Sequence, residues 1–217
     1  MFDQLFNPGS SLLGRIPIFT KSKVFVSYQH SRDQQAYRDF SRIFCDHYEA
    51  VEDNSLERAM DSNDPVYVMR RIREKHITGT SCTIVLCEAE TPWRKYVDWE
   101  IDATLDKQHA LIGVEFPTCT IASPGRVFVP NRLWDNINSR YAVWITWQAL
   151  IQGGASFLQK TIEEAKGKPK GLIQNGRERM SQNKPPPWKK DPAPLPVSGQ
   201  LGLGSLLGLD GSLFGPK

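Results

Sequence analysis

Ser81–Cys87, SCTIVLC, is apolar on both faces of an extended chain. A strand with no polar face needs cover on both sides of its sheet, as a central strand of a parallel sheet has. Working outward, Lys23–Tyr28, KVFVSY, is a second β-branched and aromatic run, and Ala110–Phe116, ALIGVEF, a third. Shorter strands are predicted near Tyr48–Val51 and at Ala142–Trp147. Helical patterns lie between them. From Asp33 to His47, Ala36, Phe40, Ile43 and Phe44 recur at steps of three and four, with Ser31 or Asp33 able to cap. Pro65 suits the first turn of a helix that carries Val66, Met69 and Ile72 towards Thr78-Gly79. Helices are also predicted from Pro92 to Lys107 and from Gly153 to Lys166.

Strand and helix therefore alternate about five times. The expectation is an α/β fold: a flavodoxin-like doubly wound sheet of about five mostly parallel strands, with extended N- and C-terminal segments. In such sheets the ligand crevice lies at the carboxyl ends of the strands, here 28–33, 53–65, 88–100 and 116–131. Residues 1–22 read as an N-terminal extension and 23–166 as the domain. Residues 167–217 read as a Pro-rich basic, semi-extended linker followed by a Gly/Leu-rich tail.

The net charge of +3 is unevenly placed: from Lys160 onward ten Lys and Arg face five Asp and Glu, leaving −2 for residues 1–159. The surplus reads as a solvated tail, so neither specific nucleic acid nor membrane is expected as a partner. The four cysteines form no CxxC pair and the four histidines no HxxxH, so no metal site is expected. Neither a basic-then-apolar leader nor an apolar run of about 20 residues is present, and the expectation is a reducing, cytoplasmic location.

GxGxxG after the first strand, GxxxxGK[ST] and GxSxG are all absent, which removes the main supports for dinucleotide oxidoreductase, P-loop and α/β-hydrolase chemistry. What stands out is WRKYVDWEI at 93–101. On a helix beginning near Pro92, Trp93, Tyr96 and Glu100 share one face, because three- and four-residue steps align. A carboxylate beside two aromatic rings suits a flat cationic ring next to a sugar. Ser27 and Tyr28, ending the first strand, and Asp33 shortly after it are further candidate ligand-binding groups. Each has a plainer role: Glu100 as a solvated carboxylate near Lys95, Trp93 and Tyr96 as core, Ser27 as a strand terminator, Asp33 as a helix cap.

KVFVSYQHSRD resembles the first strand of TIR domains, and Tyr96-x-x-x-Glu100 resembles their Trp-x-x-x-Glu. With VMRRIREKHITGTSCTIVLCEAET, WRKYVDWEIDATLDKQHALIGV and PNRLWDNINSRYAVWITW, residues 23–165 resemble the TIR-like proteins of the Thoeris anti-phage defence system. Tyr96 departs from the family's Trp, though a phenol ring can still stack. The resemblance implies cleavage of the nicotinamide–ribose bond of NAD, with NAD as substrate and no cofactor, and Glu100 as the catalytic carboxylate. Nicotinamide leaves neutral, the sugar carbon turns oxocarbenium-like, and a nearby carboxylate favours that charge most in the transition state. An internal acceptor gives a cyclic ADP-ribose-type signal for a separate effector; water gives ADP-ribose. The resemblance also implies a homo-oligomer through TIR–TIR contacts. The alternative is a non-catalytic scaffold that assembles through the loop at 53–65. A phosphorylated receiver fits less well, because the first strand ends without the acidic cluster that Mg²⁺ needs.

Overall fold

The computed structural model describes residues 21–29, 34–46, 49–50, 65–119, 121–123 and 126–186. Strand β1 (Lys23–Ser27) leads to helix α1 (Gln34–Phe44) and a two-residue β2 (Glu49–Ala50). Helix α2 (Pro65–Arg71) widens into a π-type turn over Ile72–Ile77 before β3 (Cys82–Cys87). A 3-10 turn, Thr91–Trp93, precedes α3 (Lys95–Asp106), and β4 (Ala110–Glu115) follows. Then come a small antiparallel hairpin of β5 (Ile121–Ser123) and β6 (Arg126–Val127), α4 (Asn131–Asn138), β7 (Val143–Thr146) and α5 (Trp147–Lys166).

The main sheet runs β2-β1-β3-β4-β7 with every pair parallel. This is the flavodoxin-like order, and its switch point falls between β1 and β3, where Ser27 lies opposite Val85. All six residues of β3 are buried, as its two-faced apolar sequence requires. Alternate side chains feed two cores. Val24, Val26, Ile84, Leu86 and Ile112 pack with Phe40 and Phe44 of α1 and Leu158 and Ile162 of α5. On the other face Val85, Cys87 and Leu111 meet Val97, Ile101 and Leu105 of α3, and Phe25 meets Val68, Met69 and Ile72 together with Trp99 and Ala103. No helix among the described residues is long and apolar enough to cross a membrane.

Several expectations shift. The helix read from Pro92 begins at Lys95, because Arg94 is extended (φ −99°, ψ 119°) and separates it from the 3-10 turn. The last helix begins six residues earlier than its sequence signal, at Trp147, and breaks at Gly154 (φ 59°, ψ −156°), a conformation that only glycine adopts cheaply. Ile43, placed in the apolar stripe of the first helix, is 39% exposed. Asp33 and the loop at 53–64 lie outside the described residues.

Residues 167–186 are irregular beyond a short 3-10 turn (Lys170–Leu172), as their Pro and Gly imply, but they are docked. They form a strap across α4 and along α3, running opposite to α3. Gln174 exchanges two hydrogen bonds with the Asn136 side chain (2.8 and 3.0 Å), and Trp99 Nε1 donates to Met180 O (2.8 Å). Lys184 N donates to Trp93 O (3.0 Å). Beneath the strap Arg132 is fully buried and holds Asp98 (3.0 Å), Asp102 (3.3 Å), Asn175 Oδ1 (2.6 Å) and the carbonyls of Arg177 (2.9 Å) and Glu178 (3.3 Å).

Candidate active site at the tip of the first strand

Ser27 closes β1 and Glu100 sits in the middle of α3, 73 residues later. The Ser27 hydroxyl donates to Glu100 Oε2 at 2.6 Å, and the two residues are 1% and 5% exposed. A contact this short is characteristic of a hydroxyl on a carboxylate. Around it, Thr104 Oγ1 donates to Glu100 O (2.7 Å) and pairs with Thr83 Oγ1 of β3 (2.7 Å), tying the helix to the sheet one turn beyond the carboxylate. The pair therefore lies at the β1/β3 switch point, on the α3 face of the sheet. Glu100 is not the solvated helix carboxylate of the plainer reading.

The rim of the sheet adds more charge. Glu88, directly after β3, is pushed above the usual carboxylate range by burial, against the lowering effect of its hydrogen bond from Thr118. Glu90 pairs with Arg94 between the 3-10 turn and α3. Thr91 Oγ1 accepts from Glu88 N (2.9 Å), which closes the loop after the central strand.

The other sequence-predicted residues go elsewhere. Tyr28 packs in the core of the opposite sheet face, stacked on Tyr37 at 4.5 Å and 8°. Adjacent strand residues point to opposite sides, so Ser27 and Tyr28 cannot both face α3. Tyr96 does share the helix with Glu100, but its ring meets Trp99 edge-on at 5.8 Å under Lys95 Nζ (4.9 Å), against the cluster formed by α2. Trp93 is off the helix altogether, in the 3-10 turn, with its ring 5.3 Å from Phe128. The shared aromatic face is thus not formed. Trp134 of α4 is 43% exposed.

Two surface depressions, of about 520 and 650 Å³, lie along the strap rather than at the strand tips, lined by Asp102, Asp106 and Arg179 in one and by Asp135 and Asn138 in the other. Neither has Glu100 in its wall. Both are walled in part by the strap, through Arg179 and Met180 in one and Gln174 and Arg177 in the other. Among the described residues no group of three or more His, Cys, Asp or Glu could hold a metal ion. Sequence reasoning missed Asp98 and Arg132. The signal for the first was visible, since Asp98, Asp102 and Asp106 repeat at four-residue steps and demand cations nearby.

An all-parallel sheet in this order, with a buried carboxylate bound at the tip of its first strand, defines an α/β domain of flavodoxin-like architecture. Residues 25–120 match the family described as Thoeris protein ThsB, TIR-like domain, and that stretch resembles ThsB from β1 to the turn after β4. Comparison with curated proteins returned no match.

Proposed function

We propose that this protein cleaves NAD at its nicotinamide–ribose bond, with Glu100 beside the ribose and Ser27 orienting the carboxylate. The single observation behind this reading is the buried Ser27–Glu100 hydrogen bond at the switch point, where doubly wound folds place their ligands. The similarity of residues 25–120 to a TIR-like domain adds support. In the proposed step the C–N bond breaks, its electron pair leaves with neutral nicotinamide, and the sugar carbon becomes cationic. Glu100 stabilises that carbon without exchanging a proton, and the oriented Ser27 dipole means little reorganisation is needed as charge develops. A nucleophile of the same ligand then gives a cyclic ADP-ribose-type signal, read by a separate effector in anti-phage defence. Because Tyr28 and Tyr96 are committed to packing, we place the remaining walls of the base pocket on a second copy of the chain.

The test is nicotinamide release from NAD, followed by mass spectrometry, with wild-type and Glu100→Gln protein and with lysate from phage-challenged cells as trigger. Release by the wild type and none by a folded Glu100→Gln variant supports the reading. Equal release by both removes Glu100 from the chemistry. Self-association in the absence of any nicotinamide release favours the non-catalytic scaffold instead.

A further inference from the structure

We infer that the strap, residues 174–184, is a positioning device for Glu100, and that Asn183 is its key positioning residue; this rests on the reading of Glu100 just proposed. Helix α3 is poorly equipped to hold itself. Asp98, Asp102 and Asp106 stand at four-residue spacing, where like charges oppose the helix. Arg94, at the capping position, makes no side-chain cap, so the first amides of the helix need an acceptor from elsewhere.

The strap answers each deficiency in turn. Asn183 Oδ1 accepts the Lys95 N–H at 2.9 Å, acting as a cap supplied by a residue 88 positions away. Met180 N donates to Asp98 Oδ2 (2.9 Å), Arg179 Nε to Asp102 Oδ2 (2.7 Å) and Asn175 Nδ2 to Asp106 Oδ1 (2.9 Å). Arg132 fastens the middle of the strap to Asp98 and Asp102. The helix is thus held at both ends and the centre by one segment, while Glu100 points to the sheet. A shift of the first turn of α3 moves the carboxylate relative to Ser27, which is fixed in β1. Even a small displacement of an oriented group costs transition-state stabilisation more than ground-state binding.

The experiment compares full-length wild type, Asn183→Ala and Asn183→Asp by hydrogen exchange over 95–101 and by NAD turnover. Loss of the cap in Asn183→Ala raises exchange of the first-turn amides about fivefold, the usual worth of a cap. It lowers kcat while KM stays within about twofold, as expected when only transition-state contacts suffer. Asn183→Asp restores both, because a carboxylate accepts the same bond and suits a helix N-terminus. Unchanged exchange in Asn183→Ala overturns the inference, and so does raised exchange with wild-type kcat. A wild type that releases no nicotinamide defeats the preceding reading instead, and the exchange comparison alone then decides whether the strap clamps the helix.

Discussion

Replacing Arg132 with Met tests how far the domain depends on the ion cluster under the strap. Arg132 is fully buried, and its guanidinium satisfies two carboxylates whose side chains are 6% exposed, besides one amide oxygen and two carbonyls. Methionine fills similar space but leaves Asp98 and Asp102 facing each other across an apolar group. Met180 N and Arg179 Nε still reach those acids, so the loss is partial. Removing one partner from a buried ion cluster costs about 3–5 kcal/mol. For a chain of this size that lowers Tm by roughly 6–20 °C. Urea denaturation of wild type, Arg132→Met and the triple variant Arg132→Met/Asp98→Asn/Asp102→Asn measures it. The triple variant should recover much of the loss, because no buried charge is left unpaired and Arg179, 43% exposed, stays solvated. A destabilisation of Arg132→Met below about 1 kcal/mol would refute the reasoning, since a charge cluster that can lose this buried cation so cheaply is not dry.

Three further outcomes are expected. A thiol reagent at pH 8 should modify one cysteine of the native protein, the exposed Cys45, and all four after unfolding; Cys82 is pushed up to about 12 by burial, and Cys87 and Cys119 are buried too. Fast reaction of two or more thiols would contradict this. His109 sits 3.2 Å from Thr80 Oγ1 and is held below the ordinary imidazole value of 6.5, first by burial and then by Lys107 and Lys170. The unfolded chain therefore takes up the proton first, so this contribution to stability is full above about pH 6.5 and falls as pH drops towards the lower folded value. His109→Gln should flatten urea midpoints across that window. Gly154→Ala should destabilise by about 1–3 kcal/mol in thermal unfolding, because φ 59° with ψ −156° strains any Cβ; an unchanged Tm would show that the helix break can relax.

Strands β1, β3, β4 and β7 were legible as short apolar runs bounded by turn residues, and their parallel order followed from intervening helices; the β5–β6 hairpin lies in a stretch that reads as loop. The Ser27–Glu100 contact joins two residues that the sequence singled out, since strand tips and a post-strand helix are where such folds gather polar groups. The aromatic wall failed for a local reason. Arg94 is extended, which takes Trp93 out of the helical count, and nothing in TPWRKY marks that break except Pro92, which also suits a helix start. That Tyr28 packs on the sheet face away from Ser27 was foreseeable, because side chains alternate along a strand. The strap was not foreseeable from periodicity. It is held by single side-chain-to-backbone and ionic contacts, such as Asn183 to Lys95 N and Arg179 to Asp102, and these leave no repeat in a Pro- and Gly-rich stretch.

The most direct test of the Ser27–Glu100 pair as the reacting centre is a double-mutant cycle on nicotinamide release, using Ser27→Ala, Glu100→Gln and both together. Ser27→Ala alone should slow release about 10- to 100-fold, the worth of a hydrogen bond to a charged group. In the Glu100→Gln background the same change should cost nothing further, because the hydroxyl acts only through the carboxylate. Independent, additive losses of the residual release, or a Glu100→Gln protein that keeps wild-type turnover of NAD, would contradict the account.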